Sequence, residues 1–232
     1  MKVAVIGDSR GIGAALREQL LAAGHEVIGV SRSGVQRAAD GASYQSLIFD
    51  AVEHPCDLSG FADALDGLVY CPGSITLKPL RGLKREQALR DLEVNYLGAL
   101  QTLQANQKLL QAAPRASVVL FSTVAVGTGM PFHASIAGAK GAVEGLTRSL
   151  AAEWAPAIRV NAIAPSLTDT SLAEPLLNSE AKRTASAERH PAGRIASADE
   201  VASLAAWLVS PQSASMTGQV LAVDGGMSRV RK

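Results

Sequence analysis

Short apolar segments alternate with longer amphipathic segments along the whole chain. Seven short segments consist almost entirely of apolar residues, which is typical of strands covered on both faces of a sheet. They are Val3–Ile6, Glu26–Val30, Ser46–Phe49, Leu68–Cys71, Val118–Phe121, Ile158–Ile163 and Val220–Val223. Between them, apolar residues recur every three or four positions, as over Lys84–Gln111 and Ala137–Ala155, and this period indicates helices. The alternation predicts right-handed βαβ units and an α/β fold with a parallel sheet.

The 232 residues are predicted to form one domain, residues 1–232, because a chain of this length can bury a substantial core. No repeat, low-complexity stretch or interdomain linker interrupts the pattern. One long segment, Ser166–Ser197, has no clear period and is rich in Thr, Ser, Glu and Arg. A segment of this kind beside a sheet edge is predicted to be a substrate lid.

Composition and charge narrow the classes of function. Hydrophobic residues make up 47% of the chain and charged residues 19%, which is typical of a globular protein. The formal net charge of +1 gives no electrostatic reason to expect nucleic acid or an anionic membrane as a partner. The apolar run before Asp8 is too short for a signal peptide, so we expect a cytoplasmic protein. The two cysteines and four histidines have no metal-ligand spacing.

A glycine-rich turn follows the first predicted strand. In VAVIGDSRGIGAAL, Gly7, Gly11 and Gly13 lie directly after the strand and at the start of a helix. Glycines in this context permit a tight turn and let backbone N–H groups approach a pyrophosphate at the helix N-terminus. The stretch therefore predicts a dinucleotide site, in preference to a strand–helix turn without a ligand.

The end of the second predicted strand favours NADP(H) over NAD(H). An NAD site usually has a carboxylate here that accepts a hydrogen bond from the ribose 2′-OH, whereas this chain has Ser31, Arg32 and Ser33. Arg32 can pair with a 2′-phosphate, and Arg10 in the glycine turn adds positive charge on the same side. Asp50, which follows the third strand, is a weaker candidate for the adenine edge.

Five stretches in order resemble the short-chain dehydrogenase/reductase family, and the resemblance covers nearly the whole chain. They are the glycine turn, DLEVNYLGAL, GAKGAVEGLTRSLAAEWAP, IRVNAIAPSLTDT and MTGQVLAVDGGMS. The resemblance implies a Rossmann-like, doubly wound sheet of seven parallel strands with helices on both faces. It also implies a homotetramer, with a dimer as the alternative, formed through the two long helices.

The resemblance assigns candidate residues for the site. The implied catalytic residues are Asn95, Ser122, Thr123 and Lys140, with His133 added because imidazole suits proton transfer near neutrality. The implied cofactor-binding residues are Gly7, Ser9, Arg10, Gly11, Ile12, Gly13, Ser31, Arg32, Ser33, Asp50, Gly73, Lys140, Pro165 and Thr170.

The chain departs from the family at the position of the tyrosine that acts as the catalytic acid. The tyrosine that members carry four residues before the lysine is Ile136 here, and the serine that polarises the carbonyl is Thr123, with Ser122 before it. The strand-four motif is Tyr70-Cys71-Pro72-Gly73, and Ser166 stands where the family has a glycine. The segment from Asp50 to Leu65 is also short for the family's third helix.

Three functions remain open from the sequence. In the first interpretation, the chain is an NADP(H)-dependent reductase whose substrate needs no tyrosine. Reduction of an enoyl or enone substrate is one case, because the charge goes to a carbonyl oxygen held by hydrogen-bond donors. Alternatively it acts on an ordinary small carbonyl, with His133, or Lys140 through a water on Asn95, as a weaker acid. In the third interpretation it is a pseudoenzyme that binds NADP(H) as a sensor or structural subunit. Oxidoreductase activity is favoured.

Overall fold

The computed structural model describes residues 1–35 and 43–231 and contains a seven-stranded sheet. The strands follow the order β3-β2-β1-β4-β5-β6-β9, and all neighbours are parallel. They are β1 (Lys2–Ile6), β2 (Glu26–Ser31), β3 (Tyr44–Ile48), β4 (Gly67–Tyr70), β5 (Ala116–Phe121), β6 (Ile158–Pro165) and β9 (Val220–Val223); the two-residue strands β7 (Thr168–Asp169) and β8 (Ala196–Ser197) pair separately. The predicted fold class is confirmed.

Helices cover both faces of the sheet. They are α1 (Gly11–Ala22), α2 (Arg85–Leu92), α3 (Gly98–Ala112), α4 (Ala125–Thr128), α5 (Ala134–Trp154), α6 (Glu174–Leu177), α7 (Glu180–Glu188) and α8 (Ala198–Val209). A five-residue π-helical turn, Glu93–Leu97, separates α2 from α3 within the single helix that the sequence predicted. Such turns often mark functional positions in helices, and this one contains Asn95.

The core lies in two layers because the strand side chains alternate between the two faces. In β1, Val3 and Val5 pack in the cluster that includes α1 and α8, whereas Ala4 and Ile6 pack in the cluster that includes α3 and α5. This alternation requires helices on both faces, as the near-continuous apolar strands predicted. The exception is the edge strand β3, which begins two residues earlier than predicted and leaves Ile48 exposed.

The connection between β3 and β4 contains no helix over residues 49–66, in agreement with the shortness noted in the sequence. Cys56 and Leu58 of this connection are buried in the core. The buried side chain of Asn106 on α3 holds them there. Its Oδ1 accepts from the Leu58 backbone N–H at 2.9 Å, and its Nδ2 donates to the Cys56 carbonyl. These bonds satisfy backbone groups that a helix would otherwise pair.

The segment 166–197 contains α6, α7 and the β7–β8 pair, which the sequence pattern did not predict. Helix α7 begins at an N-cap, where Ser179 accepts from the Lys182 N–H, and Ser186 is its buried residue. A helix that buries a serine and no apolar stripe gives no hydrophobic period, which is why periodicity missed it. Among the described residues, none of the helices has the length and apolar character needed to cross a bilayer.

Candidate active site

A cleft of about 830 Å³ opens at the carboxyl ends of the strands, where the strand order reverses between β1 and β4. It brings together twelve of the predicted cofactor residues. They are Gly7, Ser9, Arg10, Gly11, Ile12, Gly13, Ser31, Arg32, Ser33, Asp50, Gly73 and Thr170. The other two, Lys140 and Pro165, line an adjoining smaller cavity instead.

The glycine turn has a backbone that other residues would not readily adopt. Gly7 has a φ of +83°, in the left-handed region that favours glycine. A Cβ at Gly13 would overlap the Gly7 carbonyl oxygen, so α1 can pack this close to β1 only with glycine at that position. The N-terminus of α1, which begins at Gly11, faces the cleft and suits an anionic group.

Asp8 fixes the base of this turn. It is fully buried, and its carboxylate accepts from the Tyr44 hydroxyl at 2.5 Å and lies 3.5 Å from the Arg17 guanidinium. Burial, together with the hydrogen bond to Asp8, raises the pKa of Tyr44 to about 12. The tyrosine therefore stays protonated near neutrality and holds β3 against the glycine turn.

Two arginines bring positive charge to the cleft, Arg32 just after β2 and Arg10 in the glycine turn. Arg10 and Arg32 are exposed side chains that line the cleft, and neither has an ion-pair partner among the described residues. Arg90 also lines the cleft, but it lies 2.8 Å from Glu53. Asp50 accepts from the Val52 backbone N–H at 3.0 Å, which fixes its carboxylate in a turn at the cleft wall.

The smaller cavity, of about 330 Å³, adjoins the cleft, and the two share residues of the glycine turn, the β4 exit and the 166–197 segment. The shared residues are Ile12, Cys71, Gly73, Ser74, Thr170 and Leu172. Apolar side chains form most of the remaining wall, among them Ile75, Leu77, Val124, Ile136, Leu167 and Leu176. A compound in the smaller cavity would therefore lie beside a ligand in the cleft.

Lys140 projects from α5 to the wall of the smaller cavity. Its side chain is buried, and Nζ donates to the Phe121 carbonyl at 2.8 Å. Burial lowers the pKa of Lys140 to about 8, although the nearby Asp91 carboxylate opposes this shift. One helical turn earlier, the buried side chain of Ile136 faces the same cavity and offers no proton.

The three tyrosines of the sequence are placed away from this cavity. Tyr44 donates to Asp8, Tyr70 donates to the Val94 carbonyl at 3.0 Å, and Tyr96 packs against the core. A phenol therefore does not replace the missing acid at the cavity wall.

The other predicted catalytic residues differ in how they reach the cavity. Thr123 and His133 both line it, and the ring Nδ1 of His133 lies 2.8 Å from the Pro131 carbonyl. Ser122 lines it as well, but its hydroxyl donates to Glu144 at 2.8 Å. Asn95 is buried behind Ser74, to whose Oγ it donates at 2.9 Å. Asn95 therefore reaches the cavity through Ser74.

Asp91 is a site residue that sequence reasoning missed. Its carboxylate is buried and accepts from the hydroxyls of Ser74, Thr76 and Ser135 at 2.6, 3.1 and 2.5 Å. These three residues come from the loop after β4 and from α5. The one signal in the sequence was the spacing of Asp91 and Asn95, four residues apart and so on one helix face.

The contact between Ser166 and His190 is a further feature that sequence reasoning missed. His190 is fully buried, its Nδ1 lies 2.7 Å from the Ser186 carbonyl, and its Nε2 lies 2.8 Å from Ser166 Oγ. Because a carbonyl only accepts, Nδ1 carries the hydrogen, and in the neutral imidazole Nε2 accepts from the Ser166 hydroxyl. Ser166 also lines the smaller cavity. The sequence drew attention to Ser166 as a departure from the family, but nothing in it linked Ser166 to His190.

The geometry of the site indicates a class of protein, and a family model agrees with it. Among the described residues, no group of three His, Cys, Asp or Glu side chains could hold a metal ion. The glycine turn, the cleft at the strand-order reversal and the parallel sheet are the features of a dinucleotide-binding α/β protein. A family model described as enoyl-(acyl carrier protein) reductase matches residues 6–228.

Relatives match over almost the full chain. A tropinone reductase homolog of Arabidopsis thaliana is 35% identical over 247 residues, covering 98% of this chain and 93% of the plant protein. The structure of gluconate 5-dehydrogenase from Burkholderia cenocepacia, in complex with NADP and tartrate, has a TM-score of 0.88 and 27% identity, covering 99% and 96% of the two chains. An Agrobacterium tumefaciens protein with bound NADP, provisionally named 2-deoxy-D-gluconate 3-dehydrogenase, has a TM-score of 0.86 and 33% identity, covering 97% and 95%. The chain belongs to the short-chain dehydrogenase/reductase family of oxidoreductases, whose members bind NAD(P).

Proposed function

We propose that the protein is an NADP(H)-dependent reductase of small, largely apolar carbonyl compounds. The observation that carries this proposal is the continuity of two spaces. The cleft with the glycine turn and two arginines adjoins a mostly apolar cavity that holds Lys140 and Thr123. Bound NADPH would supply the hydride for the reduction.

In the proposed function, different residues bind the cofactor and the substrate. The N-terminus of α1 and the glycine turn hold the pyrophosphate, and Arg32 with Arg10 holds the 2′-phosphate. Lys140 donates to the nicotinamide ribose, and the Thr123 hydroxyl donates to the substrate carbonyl oxygen. The apolar wall excludes water, which strengthens both polar contacts.

The preference for NADP(H) is tested by calorimetric titration of NADPH and NADH. We expect NADPH to bind at least about tenfold more tightly, since a charge-assisted hydrogen bond contributes roughly 1.5–3 kcal/mol. Arg32→Ala should remove most of that difference while leaving NADH binding nearly unchanged.

The matched control is Arg115→Ala. Arg115 is also exposed, but it directly precedes β5. It therefore lies at the amino ends of the strands, whereas the cleft opens at their carboxyl ends. Equal affinities for NADPH and NADH in the unmodified protein would contradict the NADP(H) assignment. So would a similar loss in both arginine variants.

Conjugate reduction of an enone or enoyl compound is the second candidate. Two observations favour it: the apolar Ile136 at the acid position, and the match to a model described as an enoyl reductase. In this reaction the negative charge resides on an oxygen that Thr123 can hold, and the carbon is protonated afterwards. A panel that contains saturated ketones and their α,β-unsaturated counterparts separates the two reductions.

A further inference from the structure

We propose that Ser166 and His190 form a proton relay, in which the Ser166 hydroxyl donates to the substrate oxygen and His190 replaces the proton. The proposal rests on the reductase function proposed above. It assigns to this pair the acid role that Ile136 cannot perform. The pair is the point where a cavity-lining hydroxyl is joined to a fully buried imidazole at hydrogen-bond distance.

The strand ends place Ser166 beside Thr123, the proposed carbonyl donor. The Ser122 N–H donates to the Ile163 carbonyl at 2.7 Å, and the Val124 N–H donates to the Pro165 carbonyl at 3.2 Å. These bonds continue the β5–β6 pairing to the carboxyl edge of the sheet, so Thr123 and Ser166 leave adjacent strands together. Both line the smaller cavity. A carbonyl oxygen held by Thr123 would thus lie on the same side of the cavity as the Ser166 hydroxyl.

The surroundings of His190 fix both its orientation and its hydrogen. The Ser186 carbonyl holds Nδ1–H, which leaves Nε2 directed at Ser166. Backbone from the exit of β9 covers the ring. Gly225 has a φ of +56°, and a Cβ there would lie 3.4 Å from the His190 Cβ. Because the ring is fully buried, its Nε2 exchanges protons with the cavity through Ser166.

Asp224 and Arg189 bring side chains of opposite charge to the neighbourhood of His190. Asp224, which is buried just before Gly225, lies close enough for the two side chains to interact electrostatically. Burial alone would raise the pKa of Asp224, but hydrogen bonds from Ser228 and Gly226, and the nearby His190, hold it below its usual value. Asp224 therefore places a carboxylate close to the ring, and Arg189, next to His190 in the chain, lines the same cavity as Ser166.

The relay passes one proton from His190 through Ser166 to the substrate oxygen. Delivery of a hydride to the carbonyl carbon moves the carbonyl π pair onto oxygen, which becomes an alkoxide. The alkoxide takes the Ser166 hydroxyl proton and forms the alcohol O–H bond. Ser166 Oγ then takes the Nε2 proton of the imidazolium, which leaves neutral His190 with its Nδ1–H still donated to Ser186. After the alcohol leaves, the same path in reverse carries a proton from bulk solvent, through a water in the cavity and Ser166, to Nε2. Each turnover thus consumes one solvent proton, and the imidazolium is restored before the next hydride transfer.

Three variants test the relay in the NADPH-dependent reduction. Ser166→Ala removes the hydroxyl, Ser166→Thr keeps one, and His190→Asn keeps a donor for the Ser186 carbonyl but cannot carry the proton. We expect Ser166→Ala and His190→Asn each to lower kcat by about 100-fold, the usual contribution of general acid catalysis. NADPH affinity should stay within about threefold, because hydroxyl removal affects the transition state rather than cofactor binding. Ser166→Thr should recover at least about tenfold of the lost rate.

Two readouts separate a relay from a structural role. The solvent isotope effect on kcat in D₂O should be clearly above unity in the unmodified protein and should change in both Ser166→Ala and His190→Asn. In the protein without ligands, long-range ¹H–¹⁵N spectra should show Nδ1 of His190 protonated whether the ring is neutral or an imidazolium, with an Nε2 resonance that moves in Ser166→Ala. An unprotonated Nδ1, or an unmoved resonance, would overturn the relay without reference to turnover.

The remaining outcomes distinguish the relay from the reductase proposal. If the unmodified protein reduces ketones and Ser166→Ala matches its rate and isotope effect, the relay is wrong and the reductase function stands. If the rate collapses in His133→Ala but not in His190→Asn, the acid is His133 and the relay is again overturned. If the unmodified protein binds NADPH and reduces no substrate, the reductase proposal fails and the relay fails with it.

Discussion

The buried ammonium of Lys140 is expected to reduce the stability of the fold. The ammonium lies beside an apolar cavity, with one carbonyl as its direct hydrogen-bond partner and Asp91 as the nearby opposite charge. Removing a charge from water is costly, and that cost appears as the pKa of Lys140, lowered by burial to about 8 from an ordinary 10.5.

Lys140→Met should therefore stabilise the protein without cofactor and weaken its binding of NADPH. A shift of this size corresponds to roughly 3 kcal/mol at neutral pH, and loss of the hydrogen bond to Phe121 offsets about 1 kcal/mol. We expect the free energy of unfolding in urea to rise by about 1–3 kcal/mol at pH 7. Lys108→Met, at an exposed position on α3, is the control and should change it by less than about 0.5 kcal/mol.

The pH dependence of this difference follows from the direction of the shift. Between about pH 8 and 10.5 the unfolded chain binds more protons at Lys140 than the folded protein does. The stability of the unmodified protein therefore gains from this group as pH rises through that window, and the advantage of Lys140→Met shrinks. An advantage that is absent at neutral pH, or that grows as the pH is raised, would contradict the buried-charge account.

The sequence predicted candidate residues that lie in recognisable local motifs, and it missed contacts between residues that are far apart in the chain. The glycine turn and Lys140 belong to local motifs. Ser166 and His190 are 24 residues apart, and the α7 helix that brings them together has no apolar period. Ser122 was predicted to be a catalytic residue, but in the structure its hydroxyl donates to the carboxylate of Glu144 on α5.

At the scale of elements, Asp91 joins three pieces of structure that surround the site. It lies on α2, and its three hydroxyl partners lie in the loop after β4 and at the start of α5. The same loop and helix supply Ser74, Ile136 and Lys140 to the smaller cavity. The position of α5 relative to the β4 exit therefore depends on this carboxylate.

Asp91→Ala should destabilise the protein by roughly 2–4 kcal/mol, because it leaves several buried hydroxyls without an acceptor. Glu86→Ala, an exposed acidic residue in the first turn of the same helix, should change the free energy of unfolding by less than about 0.5 kcal/mol. Urea unfolding of both variants checks this. A cost for Asp91→Ala no larger than that of Glu86→Ala would show that the hydroxyls find other partners.

The elements themselves were mostly readable from the sequence. Buried strands such as β5 and β6 give continuous apolar runs, and α5 has a clear period. Strand β3 was predicted with its start two residues too late, and α6 and α7, which pack over the site rather than into the core, were not predicted. Helices α6 and α7 bury too little apolar surface to leave a pattern in the sequence.

For the molecule as a whole, the strand order determines where the cleft lies. Strands β2 and β3 extend one way from β1, whereas β4, β5, β6 and β9 extend the other way, and the cleft opens at the reversal. The homotetramer that the family resemblance implies stays a prediction. Gly138 and Gly145 leave open space along α5, which suits close approach of a helix from a second copy.

In the proposed function, this arrangement transfers hydride from NADPH to a small carbonyl compound without a tyrosine. The most direct measurement is a reaction of the unmodified protein with stoichiometric NADPH and a panel of small ketones and enones. Cofactor absorbance is followed, and the alcohol or saturated product is identified by mass. We expect one equivalent of NADP⁺ to form for each equivalent of reduced product. A protein that binds NADPH tightly yet leaves it unoxidised across the panel would contradict the claim and favour a cofactor-binding role without catalysis.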